Sequence, residues 1–125
     1  VNIHEAAENY LERVLIISGE KENVRQADIC AAMGHSRPTV SVALRELAQA
    51  GYLDISPAGN ITLTKSGRKI AEAVYERHCN IAKFFMILGT GEETAYADAC
   101  KIEHYLSEES YERIKEFLRN KKNGR

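Results

Sequence analysis

Two short helix-compatible runs, QADICAAM (26–33) and RPTVSVALRELAQA (37–50), stand on either side of the tripeptide Gly34-His35-Ser36, and that break limits the folds open to this chain. Gly34 suits the left-handed position just past a helix C-terminus. Ser36 suits the N-cap of the next helix, and Pro38 is tolerated in its first turn. Val40, Leu44, Leu47 and Ala48 recur at helical spacing and predict one buried stripe, ended by Gly51. Two helices joined so tightly must cross, which is the helix-turn-helix arrangement. After it, the β-compatible runs YLDI and NITLT flank the turn-forming Ser56, Pro57, Ala58 and Gly59. Helix, helix, recognition helix and hairpin, in that order, predict a winged helix.

The rest of the chain reads as helices. Asn2 with Glu5 has the spacing of a capping box, and Tyr10, Leu11, Val14, Leu15 and Ile17 form an apolar stripe, predicting a first helix over about 3–18 that Gly19 stops. Thr64 caps a long fourth helix that closes at Gly89. Thr90 and Glu93 predict a capping box for a fifth helix running to about Leu106. Ser107 opens a sixth, with Tyr111, Ile114, Phe117 and Leu118 on its apolar side and a frayed tail at 120–125. The fold class is therefore mainly α: a winged helix-turn-helix domain over 1–64 and an all-helical domain over 65–125, joined directly by the fourth helix.

At 125 residues, with 44% hydrophobic and 28% charged residues, the chain has the composition of a globular protein. No apolar run nears the roughly 18 residues of a membrane span, and VNIHEAAENY lacks the basic and apolar regions of a signal peptide, so a cytoplasmic location is expected. Cys30, Cys79 and Cys100 are an odd set without framework spacing, which predicts reduced thiols. The net charge of -1 hides an asymmetry. Between Lys21 and Ile70 seven Lys or Arg face four acids, whereas the first twenty residues hold Arg13 against Glu5, Glu8, Glu12 and Glu20. That distribution points to an anionic partner for the middle of the chain.

The third helix has the chemistry of a DNA reader. With Val40, Leu44 and Leu47 inward, Arg37, Thr39, Val42 and Arg45 point elsewhere, and Ser36, Pro38 and Ser41 surround the N-terminal end that enters a major groove in helix-turn-helix proteins. An outward Val42, like Pro38 or Thr39, suits contact with a thymine methyl. Ser36, Thr39 and Ser41 can donate to phosphates, Arg25, Arg37 and Arg45 supply charge, and Gln26 joins the same candidate surface. The bland alternative is a helix-turn-helix used only for protein contact.

CKIEHYL, residues 100–106, poses a separate question. Cys100, Glu103 and His104 at i, i+3 and i+4 share one face of an α-helix. A thiolate beside an imidazole is nucleophilic, but no glycine-rich nucleophile turn or oxyanion-hole element accompanies it, so catalysis is not expected. A solvated polar face is the plain alternative. The cluster has company, however: the first helix presents Asn9 and Glu12 one turn apart, and the fourth contains His78. All these side chains offer oxygen, nitrogen or sulfur to a transition metal, which points to a site assembled from three helices.

The collinear stretches ENYLERV, SRPTVSVALRELAQAGYL, LTKSGRKIA, VYERH and DACKIEHYLS resemble the short, two-domain members of the diphtheria toxin repressor and manganese transport repressor family of metal-dependent transcription regulators. The resemblance spans nearly the whole chain. It implies a homodimer whose C-terminal helical domain dimerises, a palindromic double-stranded DNA operator, a divalent transition metal as corepressor, and neither membrane nor small organic substrate. The SH3-like third domain of longer members has no counterpart in the sequence. Carried over by position, the implied ligands are Glu12, His78, Cys100, Glu103 and His104, with Asn9 where the family usually has Asp or Met. Asn9 brings neither the charge of Asp nor the sulfur of Met, which puts its contact in doubt.

Cys100 matches a position that is Cys in iron-type and Glu in manganese-type members. Two ligand positions of the iron-type ancillary site fall on Ala82 and Tyr96, so the resemblance implies one complete site per protomer. A thiolate favours Fe²⁺, Co²⁺, Ni²⁺ or Zn²⁺ over Mn²⁺, and the iron-type likeness tips the expectation to Fe²⁺. The expected mechanism is control of metal-homeostasis genes by an ion that offsets repulsion among Glu12, Glu103 and ionised Cys100 and so fixes the spacing of two recognition helices. The alternative is a winged-helix regulator answering to Mn²⁺, Zn²⁺ or a non-metal signal.

Overall fold

The computed structural model of the chain describes residues 5–122. Asn2, half of the expected first capping box, lies outside them, as do His4 and the last three residues of the tail. Among the described residues there are six α-helices and one two-stranded sheet, distributed over two compact units, 1–73 and 74–125.

The first unit contains α1 (Glu5–Ser18), α2 (Gln26–Met33), α3 (Arg37–Gln49), β1 (Leu53–Ile55), β2 (Ile61–Leu63) and the start of α4 (Lys65–Ile87). Tyr10, Leu11, Val14 and Ile17 of α1 meet Ile29 of α2 and Val40, Leu44 and Leu47 of α3 in one core, closed on the hairpin side by Leu53 and Ile61. The strands are antiparallel, with Leu53 opposite Leu63 and Ile55 opposite Ile61. Val24 adds a single bridge to Ile61, which ties the segment before α2 to the hairpin. This is a winged helix-turn-helix.

The helix ends explain why the crossing is sharp. Gly34 adopts φ 70 and closes α2 by donating its N–H to the Cys30 carbonyl. Ser36 is the N-cap of α3, its hydroxyl accepting from Thr39 N at 3.4 Å, with Pro38 in the first turn. At the other end of α2 stands a cap that the sequence reading missed. Asp28 accepts the Arg25 backbone N–H at 2.9 Å and holds Lys21 Nζ at 3.1 Å. The backbone hydrogen bond first, and the Lys21 contact second, hold its carboxyl below the ordinary range.

The wing hands over to α4 at a close approach. Thr64 donates its hydroxyl to the Gly51 carbonyl at 2.7 Å and accepts from Gly67 N at 3.1 Å, capping the helix. Gly67 then packs directly on the hairpin lead-in. A Cβ placed there would lie 2.0 Å from the Tyr52 carbonyl oxygen.

The second unit holds the remainder of α4, α5 (Glu92–Ile102) and α6 (Glu108–Lys122). Its core is Ile81, Ala82, Ala95, Ala99 and Tyr111, flanked by Phe85, Met86, Ile102 and Ile114. Small residues at 82, 95 and 99 let α4 and α5 lie close. Two expectations are corrected here. The N-cap of α5 is Gly91, whose backbone is extended and which offers no side-chain cap, so Thr90 and Glu93 do not form the expected box. The helix also ends at Ile102 rather than Leu106: Glu103 is its C-cap, and His104 lies in the turn that follows. Leu106 N still bonds the Ile102 carbonyl, so the turn keeps a helical path until Ser107 caps α6 by accepting from Ser110 N at 3.1 Å.

Gly67→Ala gains helix propensity of about 1 kcal/mol but forces the Tyr52 backbone to move, so a net loss of about 1–3 kcal/mol is expected. Urea denaturation checks it; an unchanged or higher midpoint would contradict the close approach.

Candidate metal centre and DNA-reading face

In the second unit α4 and the turn that follows α5 bring three of the expected ligands together. The Glu103 carboxylate is 1% exposed; its Oε2 lies 3.8 Å from His78 Nδ1, and its Oε1 lies 3.3 Å from His104 Nε2. The His104 side chain is itself 4% exposed. Glu103 and His104 reach these positions because α5 stops just before them, and the helical path of the turn keeps them one turn beyond Cys100. Cys100 is half-buried, as are Cys30 and Cys79.

His78 is oriented by its second ring nitrogen. Nε2 lies 3.2 Å from the Tyr96 carbonyl oxygen, and a carbonyl only accepts, so Nε2 carries the proton. In the neutral ring Nδ1 is then a lone pair turned toward a carboxylate oxygen. A buried carboxylate with two imidazole nitrogens beside its oxygens, one ring oriented by a backbone carbonyl, is a donor set that a divalent ion can join. The donor chemistry therefore fits a transition metal: two imidazoles and a carboxylate, with a thiol one turn away.

The first unit contributes its own candidates on α1. Glu12 is 4% exposed, and Asn9 is half-buried one turn earlier. Tyr10, between them in sequence, hydrogen-bonds through its hydroxyl to His35 Nδ1 at 2.7 Å. Burial first, and Cys30 second, push the phenol above its ordinary value, so it stays a neutral hydrogen-bonding group. His35, exposed in the turn before α3, is thus engaged with α1.

The candidate DNA-reading residues lie around α3. Arg37, Pro38, Thr39, Val42 and Arg45 are exposed, and Ser41 is half-buried. Ser36 and Thr39 hydroxyls bond each other at 3.0 Å in the cap. Two candidates hold the scaffold. The Arg25 guanidinium donates to Asn60 Oδ1 at 3.0 Å and to the Ala58 carbonyl, pinning the wing, while Gln26 Nε2 donates to the Arg37 carbonyl at 3.0 Å. Arg25, Arg37 and Arg45 line one cleft of about 740 Å³ between α2, α3 and the wing, and no acid is among the described residues lining it.

Comparison with known proteins agrees with both halves. Residues 2–61 match the family model described as iron dependent repressor, N-terminal DNA binding domain, and residues 64–123 match iron dependent repressor, metal binding and dimerisation domain. The chain belongs to the iron-dependent repressor family. Its members are transcriptional repressors, not enzymes. The chain is 34% identical over 113 residues to the transcriptional regulator MntR of Escherichia coli, covering 90% of this chain and 73% of that one. It is 33% identical over 117 residues to an HTH-type transcriptional regulator of Methanocaldococcus jannaschii, covering 91% and 93%. Among solved structures, a manganese-dependent transcriptional repressor in complex with manganese superposes with a TM-score of 0.83 at 30% identity, covering 90% of this chain and 52% of that one. The chain thus spans about half the length of the solved chain it matches there.

In metal-free protein above pH 8, long-range ¹⁵N spectra are expected to show a protonated Nε2 and a bare Nδ1 on His78. The opposite tautomer would contradict the geometry described.

Proposed function

We propose that the chain is a metal-dependent repressor in which Glu12, His78, Cys100, Glu103 and His104, with Asn9 as a neutral neighbour, hold one divalent ion per protomer, and that metal occupancy sets its affinity for a palindromic operator. The observation that carries the reading is the buried Glu103 carboxylate with His78 Nδ1 and His104 Nε2 beside its two oxygens, in a chain whose other unit bears an arginine cleft with no acid among the described lining residues. When bound, the ion supplies positive charge against Glu12, Glu103 and the ionised thiol. The chain's own groups do the rest. His78 and His104 present neutral nitrogens, Glu103 and Glu12 present oxygens, and the reading face presents Arg37, Thr39, Val42 and Arg45 to a major groove. Homodimerisation, the role of the second matched domain in this family, sets two such faces to a two-fold site.

The identity of the ion is weighed by two observations. Relatives named for manganese and the donor set of His78, Glu103 and His104 favour Mn²⁺, which suits nitrogen and oxygen ligands. Cys100 favours Fe²⁺, as the sequence reading had it, because a thiolate suits the softer ion. We take Mn²⁺ as the first reading and Fe²⁺ as the second. The regulated genes are then those of metal homeostasis, in the cytoplasm.

Anaerobic fluorescence-anisotropy titrations of a two-fold operator with EDTA, Mn²⁺, Fe²⁺ and Zn²⁺ test this. Metal is expected to tighten DNA binding by about 5–150-fold, the usual range of allosteric coupling. His104→Ala and Glu12→Ala are expected to remove the dependence, and binding that survives EDTA unchanged would refute the proposal. Cys100→Ser discriminates the ions: a larger loss of the Fe²⁺ response than of the Mn²⁺ response supports iron.

Arg45→Ala is expected to weaken DNA binding and to reduce the slope of log affinity against log salt by about one, leaving metal affinity unchanged. An unaltered salt slope would remove Arg45 from the interface.

A further inference from the structure

Arg77 stands beside His78 on α4, and its guanidinium is spent on the turn that carries Glu103 and His104. Nε donates to the Glu103 carbonyl at 2.7 Å, and a terminal nitrogen donates to the Leu106 carbonyl. The other terminal nitrogen lies 3.4 Å from the Glu108 carboxylate at the start of α6. Below it, the ring of Tyr111 lies 4.6 Å from the guanidinium carbon, and the Tyr111 hydroxyl is fixed by Asn80 at 3.0 Å. Only 18% of the Arg77 side chain is exposed.

The last carbonyls of a helix have no partner in their own helix. Where α5 ends inside the unit, Arg77 takes over that task for the residues at both ends of the Glu103–Leu106 turn. A planar fork of five donors can reach two carbonyls and a carboxylate at once, whereas an ammonium is a point donor on a looser stem. The adjacent His78 bonds Tyr96 further up α5. Two consecutive residues of α4 therefore grip α5 and its exit turn at separate points, one of them a candidate ligand and the other not.

We infer that Arg77 is a positioning residue of the metal centre: its guanidinium sets the distance of the Glu103 carboxylate and the His104 imidazole from His78 by holding the backbone of the turn between α5 and α6. The inference rests on the metal-site reading above. Loss of groups that orient metal ligands typically costs 10–100-fold in metal affinity.

The test is a Co²⁺ titration of the full chain, followed by ligand-field absorption and by competition with a chelating dye, with thermal unfolding of the metal-free protein alongside. Arg77→Met and Arg77→Lys are both expected to bind Co²⁺ 10–100-fold more weakly, with shifted ligand-field bands. The lysine variant keeps the charge, so a matching loss there assigns the effect to the fork, and it serves as the folded variant if the methionine one does not fold. Wild-type affinity and bands in either folded variant would overturn the inference, even with a lowered unfolding temperature. His104→Ala separates the two failures. If it binds Co²⁺ as wild type does, the site itself is misassigned; if it is weakened while the Arg77 variants are not, only the clamp is wrong.

Discussion

An ionised carboxylate taken out of water is unfavourable by several kcal/mol unless charge or hydrogen-bond donors meet it. The second unit is organised around that constraint. Glu103 is 1% exposed, and imidazoles from different elements lie 3.8 Å and 3.3 Å from its two oxygens. Placing them there requires α5 to end at Ile102, α4 to run alongside through the small residues of the core, and α6 to begin promptly at Ser107. Each of these has a local cause: alanines at 82, 95 and 99 for the close helix pair, Arg77 for the orphan carbonyls, the Ser107 hydroxyl for the new helix. Two imidazoles and a carboxylate so placed form a donor set whose chemistry suits a divalent ion.

The first unit solves an opposite electrostatic problem. The cleft between α2, α3 and the wing gathers Arg25, Arg37 and Arg45 with no acid among the described lining residues, so like charges stand near one another. Arg25 is relieved by the wing, through Asn60 and Ala58, and thereby converts a repulsive site into the contact that fixes the hairpin against α2. Arg37 and Arg45 stay exposed, their charge available to phosphates. A net charge of -1 for the whole chain is compatible with a DNA-binding surface because the acids lie elsewhere in sequence, with four in the first twenty residues alone.

What the sequence disclosed followed from periodicity and punctuation. The Gly34 and Ser36 signals placed the helix-turn-helix, the Pro57-Ala58-Gly59 cluster placed the wing, and Thr64 and Ser107 placed the starts of α4 and α6. The misreadings came where a side chain had two possible employers. Thr90 and Glu93 have capping-box spacing, yet the extended backbone falls at Gly91. Glu103 and His104 continue the helical spacing of CKIEH, yet the helix has already ended, and Arg77, twenty-odd residues away in sequence, takes up carbonyls of the turn beyond it. Arg25 and Gln26, candidates for DNA contact by type, also hold the scaffold, which their sequence positions did not reveal. Donor spacing reveals candidate ligands, but which backbone group a long polar side chain will satisfy depends on contacts that periodicity does not encode.

The Tyr10–His35 pair joins α1 directly to the helix-turn-helix crossing. Tyr10 lies on α1 between Asn9 and Glu12, and its partner His35 occupies the turn immediately before Ser36, the N-cap of the recognition helix. The bond is 2.7 Å long, with the rings edge to face at 5.8 Å, and Tyr10 is 3% exposed. Packed interiors deform little, and a cap residue fixes the direction of the helix that follows it. The bond therefore fixes α1 against the turn that leads into the N-terminal end of α3, where Arg37, Thr39 and Ser41 sit. In the function proposed above, α1 supplies ligands to an ion and α3 meets the DNA, and this bond joins the two helices within one packed unit without any change in its fold.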